Sequence, residues 1–269
     1  HPESFYWMRP SAAQEPLIRR QLALMPQAGA PFDYCLLDDI GKDWMPDYKL
    51  YVFLNAVHLT PAQRKTVTAK LKRNGATALF LSGAGYFSDD VGSVANMAAL
   101  TGITITAAAD VGTAQVAMDP ANPLTTGLVP GHLYGTEVEV SPLFAVDDPD
   151  AETIGVHPQT GKPVIASKRL DGWTSVYSAA FELPPAFIRN LARQAGVRIW
   201  LDTDDAIYSD GHYVGIHAAT AGDKVIYLPE TCDRVVDVIS GNAVTINRHT
   251  ATVTMAFGDT VLLDLEPSP

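Results

Sequence analysis

The pattern of apolar and polar positions between residues 47 and 86 predicts two buried strands joined by a helix. The run LYVFLN, from residue 50 to 55, is almost entirely apolar, and so is the run ATALFL, from residue 76 to 81. Short continuous apolar runs of this kind are typical of parallel strands that are buried on both faces. Between the two runs, Val67 and Leu71 fall on one face of a helix that is otherwise mostly polar and basic.

Local signals mark both ends of this helix. Thr60 is a natural N-cap, Pro61 takes the first helical position, and Gln63 completes a capping box. Gly75 stands where a left-handed C-cap belongs. The segment therefore predicts a βαβ unit, and open parallel sheets bind ligands at the carboxyl ends of their strands.

The rest of the chain divides into two patterns. Residues 11–25 and Pro184–Ala195 predict amphipathic helices, whereas Tyr34–Leu37 and Val197–Leu201 predict further strands of the sheet. Thr153–Val156 and residues 163–168 predict a hairpin. After residue 205 only short β runs and glycine-containing turns occur, which is typical of a small antiparallel β-sandwich. The predicted division is an α/β domain over residues 1–201 and an all-β domain over residues 202–269.

Candidate ligand-facing residues follow from the predicted strand ends. Because the carboxyl ends of parallel strands meet at one edge of a sheet, the loops behind three predicted strands are expected to lie together. These loops carry Asp38, Asp39, Asn55, Ser82, Gly83 and Tyr86.

Several segments resemble the trimerisation domain of family-42 β-galactosidases and related glycoside-hydrolase-like proteins. The resemblance rests on FDYCLLDDI, on DYKLYVFLNAVHLT, on the glycine-containing loop after the next strand, on SFYWMRPS, and on the segment from residue 183 to 229. It implies a flavodoxin-like fold, also used by class I glutamine amidotransferases, with helices on both faces of a parallel sheet and a small β-sandwich behind it. It also implies that the catalytic glutamates of such enzymes lie in a separate barrel.

The resemblance carries an expectation about association. The flavodoxin-like layout begins with a buried strand, but only three residues precede SFYWMRP here. An unfilled sheet position recruits partners through unpaired backbone groups. We therefore expect self-association or contact with a missing amino-terminal part of a larger enzyme, unless residues 1–9 fold back as the substitute strand.

Composition limits the remaining partners. The chain has 269 residues, is 47% hydrophobic and carries a net charge of −11, so a large core is expected and a nucleic-acid partner is not. No apolar run approaches the ~20 residues of a membrane helix. The two cysteines and seven histidines show no metal-ligand spacing, and no cofactor motif occurs. The acidic group Asp202, Asp204, Asp205 and Asp210 lacks the pattern of a calcium loop and is expected to be solvated.

The sequence argues against two kinds of catalytic site, a serine nucleophile and a pair of carboxylates. Ser82 follows a predicted strand, as the serine of a nucleophile elbow does, but the glycine before it and an assignable histidine base are missing. Paired carboxylates hydrolyse glycosides, yet adjacent residues on a strand point to opposite faces. This objection applies to the doublets Asp38–Asp39, Asp89–Asp90, Asp147–Asp148 and Asp204–Asp205. A catalytic barrel alone needs ~250 residues, so a chain of this length has no room for one beside the elements predicted above.

The function that these observations favour is that of a non-catalytic portion of a glycoside-hydrolase-like enzyme, with a role in assembly. A free-standing hydrolase or amidase at the Ser82 loop and a carbohydrate-binding or scaffold module remain alternatives. Tyr6, Trp7 and Trp44 are the aromatic residues that would stack on a sugar or fill a subunit interface, although core packing is the ordinary role of such side chains.

Overall fold

The computed structural model describes residues 2–8, 11–89, 91–109 and 112–267. Their fold is mixed α/β, and the chain forms two compact units. The first comprises the described residues of His1–Ala23 and Tyr34–Pro184, and the second those of Leu24–Asp33 and Pro185–Pro269.

Both helices and strands occur before residue 184. The helical segments are α1 (Pro2–Trp7), a π-helix (Glu15–Arg20), α2 (Gln21–Leu24), 3₁₀ turns at Met25–Ala28, Leu37–Asp39 and Pro123–Thr125, α3 (Pro61–Arg73) and α4 (Val94–Thr101). The strands are β1 (Leu50–Phe53), β2 (Thr77–Leu81), β3 (Phe87–Ser88), β4 (Val91–Gly92), β5 (Ile105–Ala108), β6 (Gly112–Met118), β7 (Leu133–Val140), β8 (Leu143–Val146), β9 (Glu152–Val156), β10 (Pro163–Leu170) and β11 (Trp173–Ser178).

One seven-stranded sheet organises the first unit, in the order β1-β2-β11-β10-β9-β6-β7. The pairs β1–β2 and β2–β11 are parallel, and the other four neighbouring pairs are antiparallel. The sheet is therefore mixed, whereas the family resemblance implied a parallel sheet. Strands β5 and β8 form a separate antiparallel pair, and so do β3 and β4.

The predicted βαβ unit is confirmed by strands β1 and β2 and helix α3. The hydroxyl of Thr60 accepts the amide hydrogen of Gln63, and the Gln63 side chain accepts that of Thr60, so the capping box is complete. Gly75 has a φ of +67°, as a left-handed cap requires. Val67 and Leu71 are buried, and all five residues of β2 are buried as well.

The strand predicted at Tyr34–Leu37 does not form. Residues 31–36 have no regular structure, and Leu37–Asp39 is a 3₁₀ turn closed by hydrogen bonds from the amides of Asp39 and Ile40. Tyr34 and Leu36 are 64% and 49% exposed, so this apolar run is not covered as a buried strand would be. The two aspartates that follow favour a turn, because their side chains stabilise turn geometry.

Other predictions from the sequence hold. The 153–168 hairpin forms between β9 and β10, and residues 15–28 are helical in consecutive π, α and 3₁₀ segments. Residues Pro2–Trp7 form a helix, so this part of the amino terminus does not serve as the substitute strand. No helix in the described part of the chain has the length and apolarity that crossing a membrane requires.

The second unit is mostly antiparallel. Its elements are α5 (Pro185–Gln194), β12 (Ala206–Ser209), β13 (Tyr213–His217), β14 (Gly222–Tyr227), β15 (Cys232–Asp237), β16 (Ala243–Val244), β17 (Ile246–Asn247), β18 (Thr250–Met255) and β19 (Thr260–Pro267). They form a five-stranded sheet, β12-β13-β19-β15-β16, and a three-stranded sheet, β14-β18-β17. Buried residues of both sheets, among them Ile216, Ile226 and Leu263, belong to one apolar core.

The prediction of a sheet strand at Val197–Leu201 is also wrong. The amide of Trp200 donates to the carbonyl oxygen of Gly29, the carbonyl of Trp200 accepts from Tyr227, and Leu201 forms an isolated bridge with Ile226. These backbone partners lie in the second unit, so the segment contributes nothing to the seven-stranded sheet. Helix α5 also belongs to the second unit, together with Leu24–Asp33. The domain division at residue 201 stays a prediction.

Candidate functional site at the carboxyl ends of the parallel strands

The loops that follow β1 and β2 are hydrogen-bonded to each other. The amide of Gly85 donates to the carbonyl oxygen of Ala56 at 2.6 Å, and the amide of Phe87 donates to that of Val57 at 2.9 Å. Asn55 therefore lies in the loop next to the one that carries Ser82, Gly83 and Tyr86. This juxtaposition follows from the parallel register of β1 and β2, which ends both strands at the same edge.

Ser82 joins a third strand end to this edge. Its amide donates to the carbonyl oxygen of Ser178, the last residue of β11, at 2.7 Å. Its φ is +54°, an uncommon value for a residue with a side chain. Strain of this kind is often found at functional sites. Among the described residues, however, no histidine or carboxylate forms a hydrogen bond with the Ser82 hydroxyl, so no general base is assembled.

Gly83 and Tyr86 pack against an aromatic side chain from another part of the unit. A Cβ atom on Gly83 would lie 3.4 Å from the ring of Phe144, which is close for a carbon contact. The rings of Tyr86 and Phe144 have centroids 5.3 Å apart. The backbone at Gly83 is buried and Tyr86 is half-buried. These two positions therefore form a packed aromatic corner.

Arg64, on the first turn of α3, holds the second loop in place. Its guanidinium donates to the carbonyl oxygens of Asn96, Gly85 and Phe87, at 2.5, 2.7 and 3.2 Å. Burial lowers the pKa of this arginine, while Asp89 opposes the shift. The sequence pattern assigns Arg64 no role at this edge, because it does not show which loops fold over the helix.

Asp38 reaches the same edge by a different route. One of its carboxylate oxygens accepts a 2.8 Å hydrogen bond from the side-chain amide of Gln63, the capping-box residue of α3. Asp38 is exposed and Asp39 is half-buried. Both come from the 3₁₀ turn rather than from a strand end, so the premise that placed them here was wrong, although Asp38 does lie at the amino-terminal end of α3.

Helix α1 lies against the loop after β1. The Ser4 hydroxyl accepts the amide hydrogen of His58 at 2.9 Å and is 3.3 Å from its carbonyl oxygen. Trp7 stacks on His58 and Phe87, with centroid distances of 5.5 and 4.5 Å. Ser4 and His58 were not identified from the sequence, since neither belongs to a recognisable motif. Trp7 is nevertheless 37% exposed, and Tyr6 and Trp44 are 79% and 65% exposed, so none of the three has the core role expected of it.

Some carboxylates of the acidic doublets form structural contacts. Asp148 accepts the Thr104 amide hydrogen and pairs with Lys168, both at 2.9 Å. Asp204 pairs with Arg189 at 2.5 Å, and Asp205 with Lys224 at 2.7 Å. Asp205 is fully buried, so the expectation that this acidic group is solvated was wrong for it. Asp89 is exposed, and Asp90 lies outside the described residues.

The described part of the chain does not have the geometry that a metal site needs. Within it, no group of three or more histidine, cysteine or acidic side chains is placed to hold a metal ion. Cys35 and Cys232 are not joined in a disulfide bond. What the carboxyl edge offers is a set of hydrogen-bonded loops around one strained serine.

Comparison with solved structures finds β-galactosidases. One from Bacillus circulans sp. alkalophilus matches 96% of this chain with a TM-score of 0.67 and 15% identity. A GH42 β-galactosidase from G. stearothermophilus matches 93% with a TM-score of 0.60 and 13% identity. One from the Antarctic haloarchaeon Halorubrum lacusprofundi matches 92% with a TM-score of 0.61 and 14% identity.

These matches cover only a part of each β-galactosidase. The chain spans 38%, 36% and 35% of the three neighbours' lengths, in the same order. At such low sequence identity the likeness shows the fold alone, which is that of one part of GH42 β-galactosidases. No protein-family model and no curated protein matches the sequence.

Proposed function

We propose that this chain is a non-catalytic portion of a glycoside-hydrolase-like protein and that it takes part in subunit assembly. The observation that carries the proposal is the match of 96% of this chain to 38% of a β-galactosidase chain. On this proposal the first unit is a flavodoxin-like, amidotransferase-like domain of the trimerisation type. The second unit is a small β-sandwich, and catalysis belongs to another part of the assembled protein.

The contacts of the acidic residues support a non-catalytic role. A glycosidase needs two carboxyl groups that face one substrate, separated by roughly 5–10 Å. Asp148, Asp204 and Asp205 are instead bound to Lys168, Arg189 and Lys224. Carboxylates held in this way stabilise the fold and are not available to a glycosidic oxygen.

Exposed aromatic side chains of the first unit support assembly. Tyr6, Tyr34 and Trp44 are 79%, 64% and 65% exposed. Aromatic residues are enriched at protein interfaces, because they bury a large area with few rotatable bonds. Strand β1 also has a hydrogen-bonded strand neighbour on one side only among the described residues, which leaves it at the edge of the sheet.

Multi-angle light scattering across a dilution series tests the assembly role. We expect a particle larger than the 28.9 kDa chain, and dissociation in a Tyr34→Glu/Trp44→Glu double variant. Phe257→Glu, at a position that is 77% exposed in the second unit, is the matched control and should leave the assembly intact. A strictly monomeric wild-type chain at all concentrations would contradict the proposal.

Assays with aryl β-galactosides and related aryl glycosides test the absence of catalysis. The isolated chain should give background rates. Turnover that disappears when one carboxylate of this chain is replaced by its amide would show that the active site lies here.

A hydrolase or amidase centred on Ser82 is the second candidate. The φ of +54° at the end of β2 favours it, because a nucleophile elbow places its serine in a strained turn. The test is hydrolysis of activated esters and amides by the wild-type chain and by Ser82→Ala. Turnover that Ser82→Ala abolishes would establish this activity in place of the non-catalytic role.

A further inference from the structure

An open cleft lies in the second unit. Its volume is about 550 Å³, and it is lined by Arg198, Leu228, Pro229, Glu230, Thr231 and His249. Small-molecule sites in proteins commonly measure roughly 300–1,000 Å³. None of these residues belongs to the loops described above.

Backbone hydrogen bonds hold the walls of the cleft. The Tyr227 amide donates to the Trp200 carbonyl oxygen at 2.9 Å, and the Leu228 amide donates to that of His249 at 2.8 Å. A third bond, from the Cys232 amide to the Pro229 carbonyl oxygen at 3.1 Å, closes the turn that carries Glu230 and Thr231. These bonds fix the backbone that carries the lining residues.

Arg198 is positioned by an aromatic ring rather than by an acid. Its guanidinium carbon lies 4.7 Å from the ring centroid of the buried Trp200. Within the described residues it forms no ion pair, whereas Arg189, Arg193 and Arg234 of the same unit each pair with a carboxylate. Because no carboxylate in the described part of the chain neutralises it, an arginine held in this way is available to an anion.

The chemistry of the other lining residues narrows the kind of anion. A guanidinium matches a planar carboxylate through two parallel hydrogen bonds. His249 and Glu230 offer donors and acceptors of the sort that hydroxyl groups need, and the half-buried Pro229 adds an apolar surface that suits the C–H face of a sugar ring. The negative charge of Glu230 disfavours a doubly charged phosphate.

We propose that this cleft binds a sugar carboxylate, a hexuronic acid, with its carboxylate on Arg198 and its hydroxyls on the Glu230 turn and His249. The proposal uses no residue of the carboxyl-edge site and does not depend on the assembly role. It adds to the chain a ligand site for an acidic sugar.

Titration calorimetry of the full chain at low salt tests the proposal, with sodium D-galacturonate and D-glucuronate as probes. We expect saturable binding of at least one uronate, little or none of D-galactose, and weaker binding of inorganic phosphate. Arg198→Gln should weaken uronate binding by about tenfold or more, since hydrogen bonds to charged groups are the stronger ones. Arg198→Lys keeps the positive charge but loses the planar guanidinium. Its uronate affinity should lie between that of the wild type and that of Arg198→Gln.

Arg169→Gln is the matched control, because Arg169 is an exposed arginine on β10 of the other unit. It should leave uronate affinity unchanged. Absence of saturable binding for both uronates would overturn the proposal, and so would equal binding of galactose, tighter binding of phosphate, or an equal loss in Arg169→Gln. Circular dichroism shows whether Arg198→Gln is folded. If it is not, the uronate affinities of Arg198→Lys and His249→Gln test the proposal instead. Wild-type affinity in both variants would overturn it.

Discussion

The ammonium group of Lys224 lies 2.7 Å from a carboxylate oxygen of Asp205, and their side chains are only 2% and 0% exposed. The carboxylate also accepts the amide hydrogen of Ala219 at 2.7 Å and the hydroxyl hydrogen of Thr203. The ammonium donates to the hydroxyl of Thr220 at 2.9 Å. Both members of the pair therefore have further hydrogen-bond partners, which is what makes a buried ion pair tolerable.

Removing one member of this pair should strongly destabilise the second unit. Lys224→Met leaves the Asp205 carboxylate buried without its cation, and we expect a loss of about 3–5 kcal/mol in the free energy of unfolding. Urea unfolding together with hydrogen exchange of strands β12–β19 measures the loss.

The exposed pair Arg234–Glu266, with side chains 60% and 42% exposed, gives the control. Glu266→Gln should change stability by no more than about 1 kcal/mol, because water screens exposed pairs. Equal effects of Lys224→Met and Glu266→Gln would contradict the assigned burial.

The unfolding free energy should fall in acid. Burial alone would raise the pKa of Asp205, but Lys224, Thr203 and the Ala219 amide outweigh it and the pKa is lowered. Burial is likewise outweighed at Asp148 by the Thr104 amide and by Lys168. A carboxyl group with a lowered folded pKa contributes stability above its unfolded value of 3.8, and this contribution is lost as pH falls through the folded pKa.

Urea unfolding at a series of pH values between 7 and 2 checks this expectation. Most of the decline should lie below about pH 4. Asp148→Asn should be less stable at neutral pH and show a shallower acid decline. A wild-type profile that stays flat between pH 5 and 2 would refute the assigned shifts.

Removal of the buried Tyr177 hydroxyl should not lower the stability of the first unit. Tyr177 is fully buried on β11, and its hydroxyl has no hydrogen-bond partner among the described residues. Burial raises its pKa well above the ordinary value. Because an unsatisfied buried hydroxyl costs about 1–3 kcal/mol, Tyr177→Phe should be neutral or stabilising in thermal unfolding.

Tyr51→Phe is the matched control for this substitution. The Tyr51 hydroxyl accepts the amide hydrogen of Tyr48 at 3.0 Å, so its removal should cost about 0.5–1.5 kcal/mol. A larger loss for Tyr177→Phe than for Tyr51→Phe would show that the Tyr177 hydroxyl does have a partner.

Gly85 should tolerate no side chain. Its φ is +72°, and a Cβ atom there would lie 2.8 Å from the Leu100 side chain and 2.9 Å from the Arg64 guanidinium. Gly85→Ala should therefore combine backbone strain with a clash, at about 1–3 kcal/mol or more. Hydrogen exchange of the Gly85–Phe87 amides should accelerate together with this loss of stability.

Gly161→Ala separates the two contributions. Gly161 has a φ of +67°, but no atom lies within 4 Å of where its Cβ would be. We expect a loss of about 1 kcal/mol from the backbone alone. If Gly161→Ala costs as much as Gly85→Ala, the close contacts at the carboxyl edge contribute nothing.

Elements whose signals lie within a few neighbouring residues were predictable. Helix α3 has its cap at Thr60 and Gln63, its buried face at Val67 and Leu71, and its stop at Gly75, all within one stretch of sequence. The β9–β10 hairpin and the antiparallel strands after residue 205 were predictable in the same way. Each of these elements is specified by local turn chemistry and by its own apolar period.

At the candidate site, the sequence predicted the neighbouring loops of Asn55 and Ser82 because parallel strands end at one edge. It did not predict that the Arg64 guanidinium would donate hydrogen bonds to the loop at that edge. Nor did it predict that the Ser4 hydroxyl would accept the amide hydrogen of His58, 54 positions away. Partners so distant along the chain leave no periodic signal.

The sequence by itself determined the secondary structure of helix α3 and of the β9–β10 hairpin, because their hydrogen bonds join residues that lie close together along the chain. Only the tertiary structure decided which apolar runs became strands. Tyr34–Leu37 remained exposed, and Trp200 found its backbone partners in Gly29 and Tyr227 rather than in the seven-stranded sheet. The reason is physical: an apolar run is buried by whichever surface and unpaired backbone groups the rest of the chain brings to it, and that choice is made by packing and not by the run.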